Sequence, residues 1–293
     1  MTELLLTGVH ALTGTVRTGP EISAADTYPG SRTTWPVRIP AEAYPAPAPL
    51  GRRQLRRLSP EARLLHHAAD SAGLDVPPAD PQRTGVFVGS TAAGLGMYLE
   101  ALRDGFCAGP TTLSPVLAPQ SSYNGAASEL SKGLGARGAV MTFASGSCSG
   151  LSALVAAADW VAAGDLDVAV VAAVDVPSPV RGSLPQAEVA VVVVLESAGH
   201  VAARGARALA VLAGFAESWD RDPAAGARRA AAGADPAGRT ASFVPRPQPV
   251  DRAGAGGLLT VAEALTGPLR AATLIAVSDP AGHAAAVRLT PAR

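Results

Sequence analysis

Residues 139–175 read AVMTFASGSCSGLSALVAAADWVAAGDLDVAVVAAVD. Ala139 to Ala144 is a short apolar run with β-branched residues and an aromatic, the pattern of a buried strand. Ser145-Gly146-Ser147-Cys148-Ser149-Gly150 follows, and its glycines permit the tight backbone of a strand-to-helix elbow while its hydroxyls can cap the next helix. Leu151 to Ala163 is Leu, Ala, Val and Trp with almost no polar residue, which predicts a helix buried on most sides. Gly164-Asp165 stops it, and Leu166 to Val174 returns as a wholly apolar strand. In such a strand, elbow, helix and strand unit one side chain stands at the elbow tip, the usual place of an acyl nucleophile.

Outward from this unit, strands and helices alternate, which argues for an α/β layered architecture. Leu4 to Val9 and Gly85 to Gly89 are predicted strands; Arg52 to Ala72 carries apolar residues at helical spacing, with Ser59-Pro60-Glu61 as a cap, first-turn proline and acid. Ser90 to Phe106 is a glycine-punctuated helix on which Leu95, Tyr98 and Leu102 share one face. A further helix is expected near Gly125 to Leu130. Ala187 to Glu196, nearly pure valine, must be buried on both faces. Gly199 to Gly205 is expected as a connection, Ala206 to Ala216 as a strand, Gly257 to Leu265 as a helix, and Ala272 to Val277 with Ala284 to Leu289 as a closing hairpin. Gly19 to Gly51 is rich in Pro and Gly and is expected to be irregular. The chain is read as one domain, residues 1–293, with an N-terminal half 1–185 and a reduced C-terminal half 186–293 bearing a loop or disordered tract near 220–250.

Composition excludes several classes. With 24 basic and 24 acidic residues there is no positive excess to hold nucleic acid or an anionic membrane. The N-terminal apolar run is too short for a signal peptide and no later segment suggests a membrane span, so a cytoplasmic location is expected. Cys107 and Cys148 are too few for a disulfide scaffold or a thiolate metal site. His66-His67 is expected on solvated helix surface, since adjacent rings point about 100° apart and cannot share a metal.

Taken in order, these segments resemble a β-ketoacyl synthase of the thiolase fold. Leu4 to Thr13 is similar to the family's opening strand and Arg83 to Gly89 to its second landmark; Leu113 to Gly138 matches the approach to the active site, and Gly164-Asp165-Leu166-Asp167 the end of the nucleophile helix. Glu196 to Gly214, Ala253 to Leu265 and Val277 to Leu289 resemble its second-half landmarks. The implied fold is a thiolase-like α-β-α-β-α sandwich, truncated in its second half.

The departures matter most. In the family the elbow reads Ala-Cys-x-Ser with cysteine as nucleophile; here Ser147 falls at that position and Cys148 one residue later, rotated by about 100° at a helix start. The family's two catalytic histidines have no counterpart, because His10, His66, His67, His200 and His283 all fall elsewhere. The resemblance therefore implies no catalytic residue, with Ser147 a degenerate remnant and Cys148 a small buried hydrophobe. It implies a chain-length-factor-type subunit that forms a heterodimer with an active ketosynthase of a type II polyketide or polyene pathway, meets acyl carrier protein mainly through that partner, and needs no cofactor or metal. Leu95, Tyr98 and Leu102 would line the tunnel of the growing chain, although ordinary core is an equal reading of that face. Two alternatives remain: a stand-alone acyltransferase or hydrolase using Ser147 or Cys148, and a purely structural stabiliser.

Overall fold

The computed structural model describes residues 2–13, 54, 57–72, 74, 78–109, 111, 115, 118–177, 187–238, 242–243 and 253–292. Their strands are β1 (Leu4–Thr13), β2 (Thr84–Gly89), β3 (Val140–Phe143), β4 (Val168–Asp175), β5 (Val189–Ser197), β6 (Ala210–Trp219), β7 (Ser242–Phe243), β8 (Thr273–Ser278) and β9 (His283–Pro291). The α-helices are α1 (Pro60–Ser71), α2 (Leu95–Ala108), α3 (Gly125–Leu134), α4 (Ser149–Ala162), α5 (Ala198–Arg204), α6 (Pro223–Ala234) and α7 (Gly256–Ala264).

Among the described residues the strands form one mixed sheet in the order β3-β2-β4-β5-β1-β6-β9-β8-β7. β2 runs parallel to both β3 and β4, and β5 is antiparallel to β4 and β1. The two halves join where Leu5 and Leu6 pair with Val211 and Ala210. β6, β9 and β8 continue antiparallel, with β7 parallel to β8.

Strand alternation creates the layers. Val171, Ala173, Val191 and Val193 face the buried helices α4 and α7, which also carry Ile275 of β8 and Val287 of β9 on their far side. Val170, Ala172, Ala190 and Val192 turn the other way, onto Leu65 and Ala69 of α1 and Ala127 and Leu130 of α3. Beyond the second half, Leu274, Ala276, Ala284 and Ala286 pack on Ala230 and Ala234 of α6. The result is the α-β-α-β-α layering of the thiolase-like fold, with, among the described residues, a second half of four strands against five. Each fully buried valine is worth roughly 1.5–3 kcal/mol relative to an exposed one, so the valine runs of β4 and β5 supply much of the adhesion between layers.

Several expectations are corrected. β5 opens the second half as the sequence divides it, yet the sheet places this strand between β4 and β1 of the first. Gly199 to Gly205 is not a mere connection. Ser197 caps the helix α5 by accepting from the His200 N–H, and Arg204 folds back so that its Nε donates to Oε2 of the buried Glu196 at 2.9 Å. The tract near 220–250 contains the helix α6, because alanine favours helix, Pro223 suits the first turn, and Asp222 accepts from the Ala224 N–H; residues 239–241 and 244–250 lie outside the described residues, as does Gly19 to Gly51. The strand expected over Ala206 to Ala216 lies later, at Ala210–Trp219. β3 is not buried: it is an edge strand, paired only with β2 among the described residues, and Val140 and Met141 are exposed.

His66 and His67 are also buried rather than solvated. Gly133 leaves room for the His66 ring, since a Cβ there would lie 2.1 Å from Cε1. Burial pushes both imidazoles below their ordinary range, so both sit neutral in the α1 to α3 layer. Among the described residues no group of three or more His, Cys, Asp and Glu side chains is placed to hold a metal, and no helix is long and apolar enough to cross a membrane.

Candidate functional site

The elbow is built by short hydroxyl-to-backbone bonds. The Ser149 hydroxyl donates to the Gly146 carbonyl at 2.7 Å and accepts from the Ser145 N–H at 3.1 Å, which ties the 3-10 turn Gly146–Cys148 to the first turn of α4. Gly146 has φ +57, a left-handed conformation that glycine adopts without strain, and a Cβ there would lie 1.8 Å from Oδ2 of Asp279. Only glycine fits.

Asp279 comes from the turn between β8 and β9, 132 residues further along the chain. Its Oδ2 accepts from the Ser147 N–H at 2.9 Å, and its Oδ1 accepts from the Ala281 N–H at 2.8 Å. The turn is fixed in addition by Asp279 N–H donating to the His283 carbonyl at 2.7 Å and Gly282 N–H to the Asp279 carbonyl at 2.9 Å. Ser147 itself is half-buried at the tip.

Cys148 points elsewhere. Its thiol is fully buried in the gap between β8 and β9, 3.4 Å from the carbonyls of Val277 and His283. Burial, with the carboxylates of Asp279 and Glu217 adding to it, pushes the thiol up to about 12. At neutral pH the sulfur is a neutral thiol and a poor nucleophile.

None of the histidines supplies a base to the elbow. His10 lies on β1, His66 and His67 on α1, and His200 on α5 with Nε2 3.4 Å from Oε2 of Glu196. His283 is nearest along the fold, yet its Nε2 stands 3.5 Å from Oε1 of Glu217 on β6. Among the described residues no histidine hydrogen-bonds Ser147, and a serine hydroxyl is a weak nucleophile unless an adjacent base activates it.

Three residues that sequence reasoning did not single out hold this site: Thr91, Asp175 and Asp279. Asp175, buried at the end of β4, accepts from the Thr91 N–H at 2.9 Å, the Ser90 hydroxyl at 3.4 Å and the Ala255 N–H at 3.0 Å. The Thr91 hydroxyl accepts from the Gly254 N–H at 2.8 Å and donates to the Gly146 carbonyl at 3.4 Å. Together they lock the elbow to the turn preceding α7. A lone carboxylate closing an all-Ala/Val strand was the visible signal for Asp175, because a charge is retained in such a place only when it is fully hydrogen-bonded.

The tunnel candidates Leu95, Tyr98 and Leu102 all lie on α2. Leu95 is half-buried, while Tyr98 is 48% and Leu102 38% exposed. Phe106, one turn beyond Leu102, is 86% exposed. None of the described side chains of α2 is buried, although six of its residues are large and apolar. A cavity of about 110 Å³ lies away from both places, between Ala72, Pro78, Thr7 and the Glu196–Arg204 pair. It contains no elbow residue.

Residues 5–218 match the family model described as Beta-ketoacyl synthase, N-terminal domain. The fold is that of solved ketosynthase structures at low identity. A beta-ketoacyl synthase from Burkholderia phymatum STM815 matches over 100% of both chains with TM-score 0.82 and 17% identity. The AntDE:AntF structure, a type II PKS acyl-carrier protein in complex with its ketosynthase bound to the hexaketide, matches over 99% of both chains with TM-score 0.80 and 17% identity. The ishigamide ketosynthase/chain length factor matches over 99% of this chain and 100% of that chain, with TM-score 0.78 and 17% identity.

Proposed function

This chain belongs to the β-ketoacyl synthase family, and we propose that within it the protein is a non-catalytic, chain-length-factor-like subunit that pairs with an active ketosynthase of a type II polyketide synthase. The partner supplies the nucleophile, the acid–base groups and the main contact with acyl carrier protein. This chain supplies half of the interface and a wall of the tunnel that receives the growing acyl chain. It works as a single domain without a cofactor.

The observation that carries the reading is α2, a helix rich in Leu, Met, Tyr and Phe none of whose described side chains is buried. An apolar helix face left open on a chain of this size marks a binding surface. The elbow agrees with a silent role, since Cys148 is buried and protonated and, among the described residues, no histidine hydrogen-bonds Ser147. The stand-alone acyltransferase or hydrolase has no comparable observation in its favour.

The test is product length. Co-expressed with an active ketosynthase and recovered as one complex by size-exclusion chromatography, the Tyr98→Ala variant is expected to lengthen the acyl chains on the carrier protein by one or more two-carbon units. Because Tyr98 is half-exposed, its melting temperature should move by under about 2 °C. A failure to co-elute, or an unchanged product ladder with a lowered melting temperature, overturns the proposal.

A further inference from the structure

At a strand-to-helix elbow the backbone N–H at the tip is a donor for the oxygen of an acyl group, because negative charge develops on that oxygen when a nucleophile adds to the carbonyl carbon. In this protein that donor is already engaged. Oδ2 of Asp279 accepts from the Ser147 N–H at 2.9 Å, and the same oxygen fills the space above Gly146 so completely that a Cβ there would lie 1.8 Å from it. We propose that the Asp279 carboxylate is a built-in occupant of the anion-accepting position at the elbow, a plug that shuts the carbonyl oxygen of any acyl group out of this subunit.

Three observations set the plug. The carboxylate is preset rather than swung in, because Oδ1 is held by the Ala281 N–H at 2.8 Å and the β8–β9 turn is closed by the Asp279 N–H to His283 carbonyl bond at 2.7 Å. It lies at the start of the 14-residue helix α4, where the aligned peptide dipoles favour a negative charge. The elbow cannot retreat from it, because the Gly146 carbonyl is fixed by the hydroxyls of Ser149 at 2.7 Å and Thr91 at 3.4 Å. A substrate carbonyl would have to displace a fixed carboxylate from its donors, and the charge developing on its oxygen would meet that carboxylate. This closure is separate from the lack of a histidine bonded to Ser147 among the described residues: restoring a nucleophile alone would leave the subunit unable to take up an acyl group. A subunit closed in this way cannot divert acyl chains from its partner.

The test restores the nucleophile and then removes the plug. Full chains in a Cys107→Ser background carrying Ser147→Cys alone, Ser147→Cys with Asp279→Gly, and Ser147→Cys with the same-shaped Asp279→Asn are each exposed to hexanoyl-N-acetylcysteamine and, separately, to iodoacetamide, and the introduced thiol is followed by intact mass. In acylation the thiolate sulfur adds to the thioester carbonyl carbon, the oxygen takes the electron pair, and collapse expels the N-acetylcysteamine thiolate, which is protonated by water. Alkylation displaces iodide and creates no oxyanion, so it reports accessibility and thiolate fraction alone. The ratio of acylation to alkylation isolates the donor. It is expected to rise at least about tenfold with Asp279→Gly and by about threefold or more with Asp279→Asn. The asparagine variant decides if the glycine variant fails to fold. A ratio unchanged by either substitution, or ready acylation of Ser147→Cys alone, overturns the plug. Association with a ketosynthase plays no part in this readout, so the plug and the partner-subunit proposal fail by different results.

Discussion

The elbow and the α2–β3 surfaces use opposite strategies. At the elbow, polar groups are answered from within the chain: the Ser147 N–H by Asp279, the Cys148 thiol by the carbonyls of Val277 and His283, the Gly146 carbonyl by Ser149 and Thr91. Along α2 and β3, apolar side chains turn outward, and Tyr98, Leu102, Phe106, Val140 and Met141 are between 37% and 86% exposed. A working acyl-transfer site would show the reverse, with donors left free for the reactant and apolar surface withdrawn. The contrast supports the proposed role, in which this chain acts through its surface.

The sharpest way to break the comparison is to probe the elbow sulfur. At pH 8, iodoacetamide should alkylate the exposed Cys107 at least about a thousandfold faster than the buried Cys148 in the folded chain, a ratio that disappears in denaturant. Equal labelling would mean the elbow is open. The sign of the pH effect follows from the raised thiol: the folded state favours the protonated form, so the stability it contributes is present below the ordinary thiol range near 9 and is lost as pH climbs toward about 12. Unfolding midpoints at pH 8 and pH 10.5, with Cys148→Ala as the control for a flat response, measure that loss.

A backbone change tests the same closure at somewhat smaller cost. Gly146→Ala places a Cβ in a left-handed conformation and against the Asp279 carboxylate, and should lower stability by roughly 2–4 kcal/mol in urea unfolding. A shift below about 0.5 kcal/mol would mean that the β8–β9 turn yields freely.

The surface half of the comparison predicts the converse. Met141→Lys, on the exposed face of an edge strand, should leave the unfolding midpoint of the isolated chain nearly unchanged yet weaken binding to a ketosynthase at least about thirtyfold, roughly 2 kcal/mol, by calorimetry. Undiminished binding would remove β3 from the interface.

Much of this was legible in sequence because it is local. Glycines bracketing small hydroxyl residues between apolar runs specify the elbow, and the valine run of β5 could only be a strand buried on both faces. The orientation of Cys148 followed from its one-residue offset from the elbow tip. What was missed is either compositional or distant. From sequence alone α6 reads as a loop because a low-complexity Ala, Gly, Arg and Pro tract carries no strong apolar period, whereas its proline and aspartate serve as first-turn residue and cap. The burial of His66 depends on a gap at Gly133, on another helix, which no local pattern signals. Asp279 reaches Ser147 across 132 residues, and Thr91 and Asp175 converge across 84, so their roles exist only once the sheet is assembled. The exposure of α2 was undecidable for a related reason: an apolar stripe at helical spacing records that something covers it, without recording whether the cover is the chain's own.

The edge strand β3 also governs how this protein must be made. A strand open along one edge among the described residues, with outward valine and methionine, is a template for another strand, and two unpartnered copies can meet by that edge. Such encounters grow with the square of the concentration of unpartnered chain, so a twofold surplus quadruples the rate of self-association. Under the proposed pairing, synthesis in step with the partner would cover this edge, and expression dosage would set the soluble yield.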